Sequence, residues 1–142
     1  MGIVVPSESR TIWVPPGGGA EAGEDPADAA RRELFEETGL AISKDSLGFP
    51  VAHTCGEWTS VDGVVFAADE TIFAIRVEEL VPETSGFTQL EHDLVEQFRW
   101  WTCDDIDATD DLVFPAGLAG LMRRILAGNG LMPPMELPWT TT

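Results

Sequence analysis

Positive charge is scarce in this chain: its 142 residues carry 8 Lys and Arg against 25 Asp and Glu, a formal net charge of −17. Binding a nucleic-acid polymer through its backbone needs clustered Lys and Arg, so the balance argues against such a partner. Long hydrophobic runs are missing as well. No apolar stretch approaches the roughly eighteen residues of a membrane span, and Met1 to Pro6 contains no basic segment leading into a long apolar one. The expectation is a cytoplasmic protein with no membrane partner. Cys55 and Cys103 form neither a metal-binding spacing nor a disulfide framework. That scarcity predicts two buried free thiols in a reducing compartment. Internal repeats and low-complexity segments are also lacking. What remains, 44% hydrophobic and 23% charged, is the composition of a folded domain rather than a disordered chain. The length suits a single domain over residues 1–142 with a real core.

Carboxylate is what the chain has in excess, and its most ordered cluster lies between Gly18 and Leu40. That stretch reads Gly18-x5-Glu24-x7-Arg32-Glu33-Leu34-x-Glu36-Glu37-x-Gly39-Leu40. Asp25 supplies an N-cap, Pro26 a first helical position, Asp28 an acidic first turn and Gly39 a C-cap, which predicts a helix over Pro26–Thr38. On it Glu33, Glu36 and Glu37 fall within an arc of about 100°. Like charges at this spacing cost about 0.2–0.5 kcal/mol per pair, and these also sit near the negative end of the helix. A divalent cation reverses the sign of those terms, because hard oxygen ligands then converge on positive charge. Such a cation also lets a small phosphorylated ligand enter an acidic site. Beside the acidic face, Ala27, Ala30 and Leu34 form a stripe expected to pack on a sheet. Upstream, Trp13-Val14-Pro15-Pro16 leads into Gly17, Gly18 and Gly19, a loop with freely directed backbone groups.

Elsewhere the signals are weaker. Residues 3–5 predict a strand followed by a loop, 40–42 a short edge strand, 43–46 a turn and 47–54 a strand. Residues 56–63 read as a loop, 64–66 as a short strand, 68–70 as a break and 71–77 as a strand buried on both faces. A long polar connection over 82–93 is of the kind that often carries function, and 95–101 should return to the sheet. The acidic run Asp104 to Asp111 lacks the glycine and glutamate of an EF-hand loop and reads as a solvated turn or short helix. Leu118, Leu121, Met122, Ile125 and Leu126 recur at helical spacing and predict a helix over 115–127, with 131–142 as a C-terminal tail. The mixed order of elements favours a layered α/β fold with helices on both sides of a mixed sheet.

At Gly18 to Leu40 the chain resembles the Nudix hydrolase signature, G-x5-E-x7-R-E-U-x-E-E-x-G-U with U a bulky aliphatic residue, and matches it without a departure. Residue frequencies near 5–7% put a chance match of the fixed positions below roughly once in ten million windows. Trp13 to Gly18 and Glu96-x2-Arg99-Trp100-Trp101 extend the likeness. The resemblance implies an α/β/α sandwich and a metal-dependent hydrolase that cleaves the pyrophosphate bond of a nucleoside diphosphate linked to another moiety X. It implies Mg2+ or Mn2+ as cofactor and a small phosphorylated nucleotide as substrate.

Position by position, the resemblance implies Glu36 and Glu37 as main metal ligands, joined by the backbone carbonyl of Gly17 or Gly18. Glu33 is a third ligand or the general base, Arg32 orients the glutamates, and Glu24 holds the loop or a second metal. Glu91 and Glu96 compete with Glu33 for the role of base, Glu91 ranking first of the two, and Glu96 is also a candidate metal ligand. Gly17, Gly18, Gly19 and Trp58 are candidate substrate contacts. Trp58, Phe66 and Trp139 have the ring faces to stack a nucleobase, although packing is the commoner role for each. His53 and His92 are read as hydrogen-bonded structural residues.

The likeness is N-terminally shortened, since only twelve residues precede Trp13 where family members usually have a few tens more and an extra strand. A shortened sheet exposes an edge and favours a homodimer. The alternative function is a Nudix-fold nucleotide-binding or regulatory module without hydrolysis. Such modules commonly lose signature glutamates, and this chain keeps all of them.

Overall fold

The computed structural model of the chain describes residues 2–5, 10–78, 80, 95–128 and 132–140. Strand β1 (Gly2–Val5) pairs antiparallel with β2 (Arg10–Trp13), Gly2 opposite Trp13 and Val5 opposite Arg10. A strand followed by a loop was expected here; the second strand forms because Thr11, Ile12 and Trp13 favour a pleated surface. Strand β5 (Val95–Gln97) pairs antiparallel with β1, and β6 (Leu112–Val113) adds parallel to β2, giving the order β5-β1-β2-β6. A three-stranded sheet has the order β4-β3-β7, from β3 (Ala52–Thr59), β4 (Val65–Ile72) and β7 (Met135–Glu136). Each sheet contains both parallel and antiparallel pairs, so the α/β fold with mixed pairing is as expected, divided between two sheets.

Helix α1 spans Pro26–Thr38, with the predicted caps. The Asp25 carboxylate accepts from the Asp28 N–H at 2.8 Å. Gly39 closes the helix at φ 79°, in the left-handed region, and its N–H donates to the Phe35 carbonyl at 2.8 Å. The expected edge strand over 40–42 does not form. Instead the Ile42 carbonyl accepts from Arg31 Nε at 2.9 Å and Ser43 caps a short helix, α2 (Lys44–Leu47). Lys44 reaches the Asp25 carboxylate at 2.6 Å and ties α2 to the start of α1.

The largest departures lie in the β3–β4 hairpin. The strand expected over 47–54 runs instead from Ala52 to Thr59, the loop shrinks to the turn around 60–63, and no break occurs at 68–70. Full-length pairing, from Ala52 opposite Ile72 to Thr59 opposite Val65, outweighs the weak strand propensity of Ala67, Ala68, Asp69 and Glu70. The turn closes with Ser60 N–H to Val64 O and Gly63 N–H to Ser60 O, both at 2.9 Å, and Gly63 takes φ 83°. Strand β4 ends at Ile72, so residues 73–77 are not the doubly buried strand expected. Cys55 is exposed on β3 and Cys103 half-buried, which corrects the expectation of two buried thiols.

The C-terminal stretch read as a tail contributes β7. Met135 N–H donates to Val51 O at 3.0 Å and Leu137 N–H to His53 O at 2.8 Å, so β3 supplies the partners that the local sequence lacks. Leu137 joins Ala52 and Leu121 in the core, with Ile72, Leu118 and Ile125 packed against them. Burying Leu121 and Leu137 contributes about 1.5–3 kcal/mol each. Helix α3 (Cys103–Ala108) opens with a capping box between Thr102 and Asp105. Helix α4 (Leu118–Leu126) buries Ala119 and Leu121, starting after Gly117 rather than at 115. Among the described residues, no helix is long and apolar enough to cross a membrane.

Candidate active site

The loop between β2 and α1 is fixed at its entrance by Trp13. Its buried ring stands edge-on to Trp101 at 4.9 Å, and its Nε1 donates to Asp111 Oδ2 at 2.8 Å. Beyond the two prolines the loop reaches α1, and the Gly17 N–H donates to Glu37 Oε2 at 2.8 Å. Glu37 is only 1% exposed, so this bond offsets part of the cost of burying its carboxylate. Gly18 lies against Glu33: a Cβ at Gly18 would stand 2.5 Å from Glu33 Oε1. Only glycine allows that approach. Gly19 contributes its carbonyl, which accepts from Arg32 Nη2 at 2.9 Å.

Arg32 is the centre of the network. Nε and Nη2 donate to the two Glu24 oxygens, each at 2.9 Å, in the bidentate geometry that suits guanidinium and carboxylate. Nη1 donates to Glu33 Oε1 at 2.9 Å and to Glu36 Oε2 at 3.3 Å. With the Gly19 carbonyl, all five guanidinium N–H donors have acceptors. The bond from Arg32, followed by the one from the Glu21 backbone, holds the Glu24 carboxyl below its usual range. The bond to Glu24 in turn stabilises the charged form of Arg32. Of the glutamates that Arg32 was expected to orient, its principal partner is Glu24, and the fixed spacing between Glu24 and Arg32 was the available signal.

The buried stripe of α1 is Ala29, Glu33 and Glu37, at successive spacings of four, and Glu36 is half-exposed beside it. Ala27, Ala30 and Leu34, expected to be the core face, are only half-buried. Three carboxylates therefore share one guanidinium, with Glu37 a fourth held by the Gly17 N–H, and the negative surplus suits a divalent cation. The donors are all oxygen, as Mg2+ or Mn2+ prefers. Among the described residues, no three Asp, Glu, His or Cys side chains gather into a complete cage. The fit is therefore to a cation held by one or two carboxylates, with backbone oxygen, water or phosphate making up the rest, as is usual for Mg2+.

Trp58, Trp139 and His53 make their contacts outside this network. Trp58 sits on the β3–β4 hairpin, its ring stacked on Phe66 at 4.6 Å, and both side chains are nearly half exposed. Trp139 packs edge-on to Phe114 at 4.8 Å, and its Nε1 donates to the Glu57 carbonyl. His53 Nδ1 stands 3.5 Å from Thr71 Oγ1. Glu96 lies on β5. Glu91 and His92 lie outside the described residues. Sequence reasoning missed the Trp13–Asp111 bond, whose partners are separated by 98 positions and carry no local signal.

Comparisons with known proteins identify the family. The family profile of the NUDIX domain matches residues 5–121. The chain belongs to the NUDIX domain family. It is 48% identical over 50 residues to the m7GpppN-mRNA hydrolase NUDT17 of Danio rerio, a match covering 35% of this chain and 16% of that protein. It is 56% identical over 34 residues to the RNA pyrophosphohydrolase of Bartonella bacilliformis, covering 24% and 20% of the two chains. The RNA pyrophosphohydrolase of Brucella ovis is 50% identical over 42 residues, covering 27% and 24%. In each case the match spans less than a quarter of the relative's length. No solved structure matches the chain.

Proposed function

We propose that this chain is a metal-dependent pyrophosphohydrolase that cleaves a nucleoside diphosphate linked to another moiety X, by attack of water at phosphorus. The observation that carries the reading is the locking of the glycine loop onto the acidic helix, through Gly17 N–H to Glu37 and Arg32 to the Gly19 carbonyl. Glu36 and Glu37, with the backbone carbonyl of Gly17 or Gly18, would hold Mg2+ or Mn2+, and Glu33 would serve as a further ligand or as the base. Bound there, the cation would supply Lewis acidity toward the pyrophosphate and lower the pKa of water.

The protein's own contribution is positional. Arg32 keeps Glu24, Glu33 and Glu36 from splaying under mutual repulsion and fixes the loop at Gly19. Glu33, held against Gly18, is within the network and so is the leading base of the described residues, with Glu91 and Glu96 as its rivals from later in the chain. Trp58, with one ring face on Phe66, has the other face for a nucleobase.

The names of the relatives favour a second substrate reading, in which the pyrophosphate linkage belongs to RNA. The net charge of −17 opposes extended contact with a phosphate backbone and favours the small substrate. One panel separates these readings from each other and from a binding module without hydrolysis. Phosphate release, coupled to a phosphatase, would be measured with Mg2+ over nucleoside diphosphate derivatives, an m7GpppN-capped RNA and a 5′-triphosphorylated RNA. Turnover of a small derivative above both RNAs is expected. Metal-dependent binding of the whole panel without turnover would sink the enzyme reading.

A further inference from the structure

Away from α1, a groove of about 200 Å³ runs between α4, the chain entering β3 and the chain entering β7. Its walls are Val51, Ile125 and Met135, which border the core, with Met132 beside them and Phe49 on the rim, 77% exposed. Among the described residues a single cation, Arg124, lines it. In a chain where 25 carboxylates face 8 Lys and Arg, that residue is unusually placed. The adjacent Arg123 pairs with Asp104 and Asp107 at 2.8 and 2.7 Å. Arg124 has no carboxylate partner among the described residues, and its Nε donates to the thioether of Met132 at 3.2 Å. Thioether sulfur is a weak acceptor, and the two terminal nitrogens keep four N–H donors in the fork that recognises an oxyanion.

Charge and size narrow the occupant. A guanidinium flanked by thioether and aliphatic walls favours a ligand with one oxyanion and one apolar body. The overall charge of −17 repels multiply charged anions, so a nucleotide or a free polyphosphate is disfavoured where one arginine among the described residues faces the groove. A volume of about 200 Å³ lies below the range of pockets for drug-sized ligands, which limits the body to a short chain or single ring. Met132 and Met135 have the adaptable side chains that close over such bodies.

We propose that this groove binds a small amphipathic monocarboxylate, its oxyanion on Arg124 and its apolar body between Phe49, Met132 and Met135. The site shares no residue with the acidic face of α1, so it stands or falls independently of the hydrolase reading. The test is a titration of the full chain with sodium hexanoate, followed by amide and Arg Nε–H chemical shifts, with 1-hexanol as the neutral control. Saturable shifts at Phe49, Val51, Ile125 and Met135 are expected, with hexanoate binding at least fivefold tighter than hexanol. Arg124→Gln should weaken hexanoate at least fivefold and hexanol less than twofold. Shifts that do not saturate at the groove, or equal affinity of the wild-type chain for hexanoate and hexanol, would overturn the proposal whether or not the variant folds. Unchanged hexanoate affinity in a folded Arg124→Gln chain would do the same.

Discussion

Two parts of the molecule are rich in carboxylate, the glutamate face of α1 and the aspartate turn around α3, and they use it differently. Around α3 the aspartates have structural partners. Asp105 closes the capping box with Thr102, Asp104 and Asp107 take Arg123, and Asp111 accepts from the buried Trp13. Asp104 and Asp105 also sit at the positive end of their helix. On α1 the glutamates lie toward the negative end, two of them are buried, and Arg32 is shared among Glu24, Glu33 and Glu36. Counting acidic residues would not separate the two regions. The negative charge left over after structural partners are assigned does.

The sharpest way to break this contrast is Glu36→Gln. Loss of one anionic oxygen should lower kcat with Mg2+ by about 100-fold or more. Its melting temperature should hold or rise slightly, because like-charge repulsion on the helix is relieved. Glu37→Gln should lower kcat by a similar factor, while its amide oxygen still accepts from Gly17 N–H. Near-wild-type turnover in both, on a substrate found in the panel, would mean the site lies elsewhere.

A smaller effect is expected from Gly18→Ala, whose Cβ would displace the Glu33 carboxylate. It should cost about 1–3 kcal/mol in thermal or denaturant unfolding and reduce kcat. Gly19→Ala, with open space at the new Cβ, should lose much less stability, and equal losses would refute the close approach of Gly18 to Glu33. On the structural side of the contrast, Thr102→Ala should cost about 1 kcal/mol of stability and leave kcat untouched. A kcat that fell with it would make α3 part of the site.

The smallest expected effect is on the acid limb of stability. Arg32 holds the Glu24 carboxyl below its usual range, and the Thr102 backbone and hydroxyl, then Arg99, do the same for Asp105. Each contribution is present above the ordinary carboxylate range and is lost as pH falls through the lowered value. Arg32→Gln removes the Glu24 part and keeps the Asp105 part, so melting temperature should fall less steeply with acidification than in the wild type. Matching slopes would show that the Arg32–Glu24 pair is fully screened by solvent.

The legibility of the sequence followed the range of the interactions. Helix α1 was readable to the residue because Asp25, Pro26 and Gly39 act within a turn of its ends. The β3–β4 hairpin carried a local signal, Asp62-Gly63, yet its length depends on pairing across the whole ribbon, which single-strand propensity does not report. Strand β7 was hidden by the flanking Pro133, Pro134 and Pro138, and its existence rests on β3. At the site, the acidic arc and the glycine loop were readable from spacing. The bonds that join them, Gly17 to Glu37 and Arg32 to Gly19, needed the fold.

The most direct test of the contrast is to let a cation choose between the two acidic regions. Mn2+ added in small substoichiometric steps, with amide line broadening followed by NMR, reports proximity without any need for turnover. The account predicts that amides of Gly17, Gly18 and Gly19 and of α1 near Glu33 to Glu37 broaden first, while those of Cys103–Ala108 persist. Broadening that began around α3, or that spread evenly over the acidic surface, would contradict it.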